Sequence, residues 1–420
     1  GSARMGDRLE LRRRDGGRLG GEVMRLSGQD AVMLPEAEAH GVSLGDPVAL
    51  APPATIAPTE AWVGRVIDPY GRPIDGRPLP TGASPRILRG DPPAPASRRA
   101  LGPRLATGLA LFNTALPVAR GQRLGLFAGS GVGKSSLLAH FARNMEADVV
   151  VLALIGERGR ELRDFVEEAL GAEGMARSIV VAATSDRSPL LRRRCAWTAM
   201  AVAEHFRDEG RQVLLLADSI TRFAEAHREV AAAAGELPAL RGFPASTAHT
   251  IMALAERAGP GCADGGDITA LFTVLVAGSD MEEPVADILR GTLDGHVVLD
   301  REIAERGRFP AVDLTRSVSR CLPGVAEEGE NAAIARLRAL VAAHDGAETM
   351  LRAGLYTEGS DPRVDQAVRV WDEIEAFLSA PERQDMAQSF RRLQLLLRRA
   401  ESGSRGGARI GAAARADPQG

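Results

Sequence analysis

The chain has 420 residues, 45% of them hydrophobic and 25% charged, which is an ordinary balance for a globular protein with a large core and room for two or three domains. A formal net charge of −3 gives no global basic field for nucleic acid or an anionic membrane. Three widely spaced cysteines without a CxxC pair, Cys195, Cys262 and Cys321, exclude a disulfide framework and a thiolate zinc site, and are expected to be buried small hydrophobes in a reducing, cytoplasmic compartment.

From Arg8 to Leu79, short apolar runs alternate with Gly- and Asp-rich turn signals, a pattern that predicts a small antiparallel β-barrel over residues 1–80, expected to be truncated at its start. Residues 80–103 are proline-rich, with Pro92, Pro93 and Pro95 close together, and read as a linker into the next domain. From Thr107 onward strands and helices alternate, which predicts an α/β fold with a mostly parallel sheet covered on both faces. The strand candidates are Arg123 to Ala128, Asp148 to Ile155, Ser178 to Ala183, Gln212 to Ala217, Ile268 to Val276 and His296 to Leu299. Arg160 to Leu170 is expected to be helical, with Leu162, Phe165, Val166 and Ala169 on one face. With the linker, this core runs over residues 81–323. Beyond Pro323 the pattern is helical only, at Glu327 to Ala343, Asp361 to Leu378 and Glu382 to Ala400, with an apolar stripe of Val364, Val368, Trp371 and Ile374. These make a C-terminal helical domain over 324–400, and the Gly/Ala/Arg-rich 401–420 reads as a disordered tail.

The chemistry starts at Leu124 to Ser136, LGLFAGSGVGKSS, a strand, a glycine-rich loop and a helix in succession. Gly129, Ser130, Gly131, Val132, Gly133, Lys134, Ser135 and Ser136 form the nucleotide-binding stretch. Backbone N–H groups and the helix N-terminus cradle an anion, Lys134 reaches the terminal phosphates, and Ser135 offers a hydroxyl to Mg²⁺. Ala128 stands where the usual motif has its first glycine. ATP and Mg²⁺ are therefore the expected cofactors. Glu157 follows a buried strand and faces the crevice where open α/β sheets bind ligands, so it is placed to orient or deprotonate an attacking water; the alternative is an acid serving a helix N-terminus. Asp218 ends another apolar strand, a position from which a carboxylate approaches Mg²⁺, although Asp-Ser also starts helices as a cap. Arg193 and Arg194 in the run Arg192-Arg193-Arg194 read as a solvated helix face.

Together, LGLFAGSGVGKSSLL, VVVLALIGERGRELRDFVEE, ATSDRSPLLRRRCAWTAMAVAEHFRDEG, VLLLADSITRFAEAHREVA and VLVAGSDMEEPVADILRGTLDGHVVLDREIAERGRFPAVDLTRSVSR resemble the flagellar type III protein-export ATPases. Their relatives are the virulence type III secretion ATPases and the catalytic subunits of rotary ATP synthases. The resemblance implies a RecA-like P-loop NTPase core with an N-terminal β-barrel and a C-terminal helical domain, assembled as a hexamer that hydrolyses ATP to drive export. It implies Glu157 as the catalytic glutamate, Arg158 and Arg192 as phosphate contacts, and Asp218 on the magnesium side. Phe309 would stack on adenine, with a core Phe as the alternative, and Arg320 would be an arginine finger for the neighbouring subunit. It further implies an export regulator subunit, an export gate and substrate–chaperone complexes as partners, peripheral attachment to the cytoplasmic face of the membrane apparatus, and no nucleic acid. The chain departs from the family at Asp186-Arg187-Ser188-Pro189, where a charge is reversed beside Arg192, and the family's N-terminal helix is not visible. An RNA-translocating helicase is disfavoured by near-neutral charge and by an N-terminal region with only Trp62 and Tyr70 for base stacking, and a non-catalytic nucleotide-binding subunit is disfavoured by the presence of both Lys134 and Glu157.

Overall fold

Continuous Val/Leu/Ile runs fit a strand covered on both faces, and Val149–Glu157 is buried along all but its last residue. In the computed structural model, which describes residues 3–263, 265–276, 281–382 and 385–402, this strand sits inside a parallel sheet. The order is Arg65–Ile67, Ser178–Thr184, Val149–Glu157, Gln212–Asp218, Asp267–Leu275 and Arg123–Ala128. The parallel order carries the C-terminal strand ends, where the carboxylates lie, to one edge. Arg65–Ile67, expected among the N-terminal strands, instead pairs parallel with Ser178–Thr184, its Ile67 fully buried. The N-terminal region is an antiparallel sheet ordered Asp30–Pro35, Arg18–Ser27, Arg8–Arg12 and Val48–Leu50.

The chain forms two compact units. The first comprises Gly1–Gly102, Arg120–Arg143 and Ala147–His296; the second comprises Pro103–Ala119, Asn144–Glu146 and Val297–Gly420. In the first, helix Pro189–Asp208 covers the sheet, starting with a Ser188 cap and Pro189 in its first turn. This helix corrects the reading of Arg193 and Arg194 as solvated. Both are buried, with Arg194 donating to Glu22 (2.6 Å) and Glu36 (2.9 Å) and Arg193 to Glu22 (3.2 Å). Their carboxylates lie 158 to 172 residues earlier in the chain, where no local pattern could announce them. Cys195 and Cys321 are buried as expected, whereas Cys262 is exposed.

In the second unit, Val312–Ser319 is a strand that sequence periodicity did not mark. Helix Glu328–Arg352 opens with a capping box between Glu327 and Glu330, and Arg104 pairs with Glu330 at 3.0 Å. The predicted helix Asp361 to Leu378 is two helices, Pro362–Arg369 and Trp371–Leu378, broken at Val370, and the first of them buries Ala367 while Val368 of the expected stripe is exposed. The last helix is Met386–Ser402; residues 403–420 of the expected tail lie outside the described residues.

Candidate nucleotide site

Gly131 and Gly133 have φ of +78° and +84°, left-handed conformations that glycine adopts without a Cβ penalty and that let the loop curl after Ala128. Val132 between them is buried. Helix Lys134–Asn144 follows, so its unpaired N-terminal N–H groups open onto the same loop. Lys134 Nζ is bonded to Asp218 Oδ1 and lies 3.9 Å from Glu157 Oε1. Three residues read separately from the sequence thus meet around one ammonium group.

Asp218 is buried, and its Oδ1 also accepts from the hydroxyl of Thr273 at 2.7 Å. The helix after it, Ile220–Ala233, is capped by Ser219, whose side chain accepts from Arg222 N at 3.3 Å. Asp218 is therefore turned to Lys134 and is not the cap. Glu157 is likewise not a helix cap: the helix Gly159–Asp164 starts at Arg158 without a side-chain cap. Burial pushes the Glu157 carboxyl up to about 7; the Asp218 charge pushes the same way and Lys134 opposes it. A carboxylate poised near neutrality is suited to take a proton from water.

Arg192 reaches both carboxylate oxygens of Glu229 at 2.9 Å and the Arg187 carbonyl at 3.0 Å. Its contact with the variant position is therefore through backbone, not through the reversed charge. Gly156, at φ +70°, lies beside Arg192 and Arg222; an added Cβ would sit 3.4 Å from Arg222 Cβ and 3.5 Å from Arg192 Cδ. Arg158 is not brought to the cluster: its side chain is 80% exposed and pairs with Glu161 at 2.9 Å. Phe309 and Arg320 belong to the second unit. Phe309 is 51% exposed, which removes the core reading, and Arg320 is exposed just beyond strand Val312–Ser319. Sequence reasoning missed Thr273, a hydroxyl inside an apolar strand, as well as Arg222 and Glu161; none carries a local motif.

The donors suit a small hard cation. Ser135 and Asp218 offer oxygens, and among the described residues no group of three His, Cys, Asp or Glu side chains could hold a metal by itself. Mg²⁺ typically takes one or two protein oxygens and completes its shell with phosphates and water.

Residues 108–319 match the nucleotide-binding domain of the ATP synthase alpha/beta family, and residues 326–399 match the C-terminal domain of the type III secretion ATPase EscN. The flagellum-specific ATP synthase of Caulobacter vibrioides is 46% identical over 382 residues, covering 89% of this chain and 86% of its own length. The type 3 secretion system ATPase of Xanthomonas euvesicatoria is 43% identical over 379 residues, covering 90% and 85%. Among solved structures, the assembled ATPase EscN from the enteropathogenic E. coli type III secretion system superposes with a TM-score of 0.87 at 36% identity, over 95% of this chain and 96% of that one. EscN in complex with its central stalk EscO gives 0.84 at 36% identity, over 95% and 96%.

Proposed function

The chain belongs to the ATP synthase alpha/beta family, among its flagellar and type III secretion ATPases, and from that membership we propose that it hydrolyses ATP to energise flagellar type III protein export. The observation that carries the mechanism is the meeting of Lys134, Asp218 and Glu157 beside the phosphate loop. In this reading the loop N–H groups and Lys134 hold the β- and γ-phosphates, and Glu157 orients the attacking water and takes its proton. Ser135 and Asp218 hold Mg²⁺, which would offset phosphate charge. Arg158 and Arg192 approach phosphate once nucleotide draws them from Glu161 and Glu229, Phe309 stacks on adenine, and Arg320 serves the site of the next subunit.

The assembled EscN structure supports a ring of this chain, here taken as a hexamer, and the EscN–EscO complex supports a stalk partner. The export regulator, the gate and substrate–chaperone complexes complete the set, at the cytoplasmic face of the membrane. Among the described residues no helix is long and apolar enough to cross that membrane. The similarity to the Xanthomonas secretion ATPase and to EscN favours a second reading, virulence secretion with the same chemistry. Steady-state ATP hydrolysis against protein concentration, with and without single-stranded RNA, tests the proposal. Activity should need Mg²⁺ and Lys134, rise with assembly and ignore RNA; RNA-stimulated turnover would instead indicate a helicase.

A further inference from the structure

Strand Asp267–Leu275 runs between the phosphate-loop strand and the Asp218 strand. Thr273 pairs across to Leu126 on one side, and Ala217 to Phe272 on the other. The strand reads DITALFTVL and is buried in all but its last residue, so the fully buried Thr273 hydroxyl needs a partner inside the protein. It donates to Asp218 Oδ1 at 2.7 Å, the same oxygen that Lys134 holds. Asp218 thus has two donors of different fate. Lys134 sits on a side chain able to leave for phosphate, whereas Thr273 is β-branched, stiff at χ1 and fixed in a strand hydrogen-bonded on both sides.

We propose that Thr273 is a positioning residue for the metal-side carboxylate: its hydroxyl keeps Asp218 in place after Lys134 has been drawn to the nucleotide. This rests on the reading of Asp218 as the magnesium-side aspartate. The hydrogen bond is charge-assisted, and losing it while the carboxylate remains should weaken the metal-dependent part of nucleotide binding by about 10-fold or more. Metal-free binding, carried by the loop N–H groups and Lys134, should hardly change.

The test uses the full chain and a fluorescent ADP analogue, titrated with and without Mg²⁺, together with the Mg²⁺ concentration for half-maximal hydrolysis. Thr273→Val keeps the shape and loses the hydroxyl; Thr273→Ser keeps the hydroxyl. The expected result is that Thr273→Val loses about 10-fold of the Mg²⁺-dependent gain in affinity and needs more Mg²⁺ for hydrolysis, while Thr273→Ser recovers most of both. Asp218→Asn, measured alongside, separates two failures. If Asp218→Asn loses the Mg²⁺-dependent gain but Thr273→Val keeps it, the inference is overturned and the reading of Asp218 stands. If Asp218→Asn also keeps it, that reading falls and the inference with it. A Thr273→Ser variant as defective as Thr273→Val would overturn the role of the hydroxyl in favour of methyl packing.

Discussion

Glu157 has a folded-state pKa near 7 against a usual value of 4.5, first through burial and then through the Asp218 charge. Between those two values the folded chain keeps a proton that the unfolded chain has released. This group therefore favours folding fully below about 4.5, and that contribution is lost as pH rises through 7. Glu157→Gln cannot ionise, so without nucleotide its melting temperature should exceed that of the parent at pH 8 and match it near pH 4; differential scanning fluorimetry at both values reads this. The same substitution should reduce turnover by roughly 100-fold or more while nucleotide binding persists, because a general base is worth about that much. In the parent, kcat/KM should climb through about pH 7 as Glu157 releases its proton. A Gln variant that hydrolyses ATP at near the parental rate would leave Glu157 with a structural role only. Lys134, Asp218 and Glu157 were legible because each closes a local pattern, a glycine loop or an apolar strand end. Thr273 was not, since a threonine among the apolar residues of a buried strand has the same pattern whether or not a carboxylate waits opposite.

At the scale of elements, helix Pro189–Asp208 shows what local pattern omits. Arg192 turns to Glu229, while Arg193 and Arg194 turn to Glu22 and Glu36 of the N-terminal sheet. Burial pushes Arg193 down to about 10, with Arg89 adding to the effect. Burial also holds His227, 3.4 Å from Arg193, down to about 4, so its ring is neutral near pH 7 and meets the guanidinium without a second positive charge. Arg194→Ala should destabilise the chain by about 3–5 kcal/mol because Glu22 and Glu36 lose a buried counter-charge. Arg194→Met combined with Glu36→Gln, which leaves Glu22 to pair with Arg193 at 3.2 Å, should lose less, and urea midpoints of the two variants measure the difference. The buried parallel strands could be read from composition because a sheet covered on both faces tolerates little else. Val312–Ser319 could not, because most of its residues are polar and the exposed ones, Thr315, Arg316 and Val318, do not alternate strictly with buried ones. Nor could the break at Val370, where neither glycine nor proline marks the end of a turn.

At the scale of the whole molecule, the proposed ring places Arg320 of one subunit at the phosphate loop of the next. Arg320→Ala should bind nucleotide yet lose most turnover, and parental activity should rise more than linearly with protein concentration. Mixing Arg320→Ala chains with Lys134→Ala chains should restore activity, since about one head-to-tail interface in four then joins an intact loop to an intact finger. A mixture no more active than either variant, with mixed rings confirmed by native mass spectrometry, would remove Arg320 from the neighbour's site.

The two compact units also have a genetic consequence. The chain passes between them after Gly102, Ala119, Arg143, Glu146 and His296. Inside the second unit, Arg338 donates to the Ala115 carbonyl at 3.1 Å and Asn113 to Ser389 at 3.3 Å. The helices beyond Pro323 are thus not a bead that one cut removes. A chimera exchanging only 324–402 with a relative would break its contacts with 103–119, so recombination in this family should favour junctions that carry both segments from the same parent.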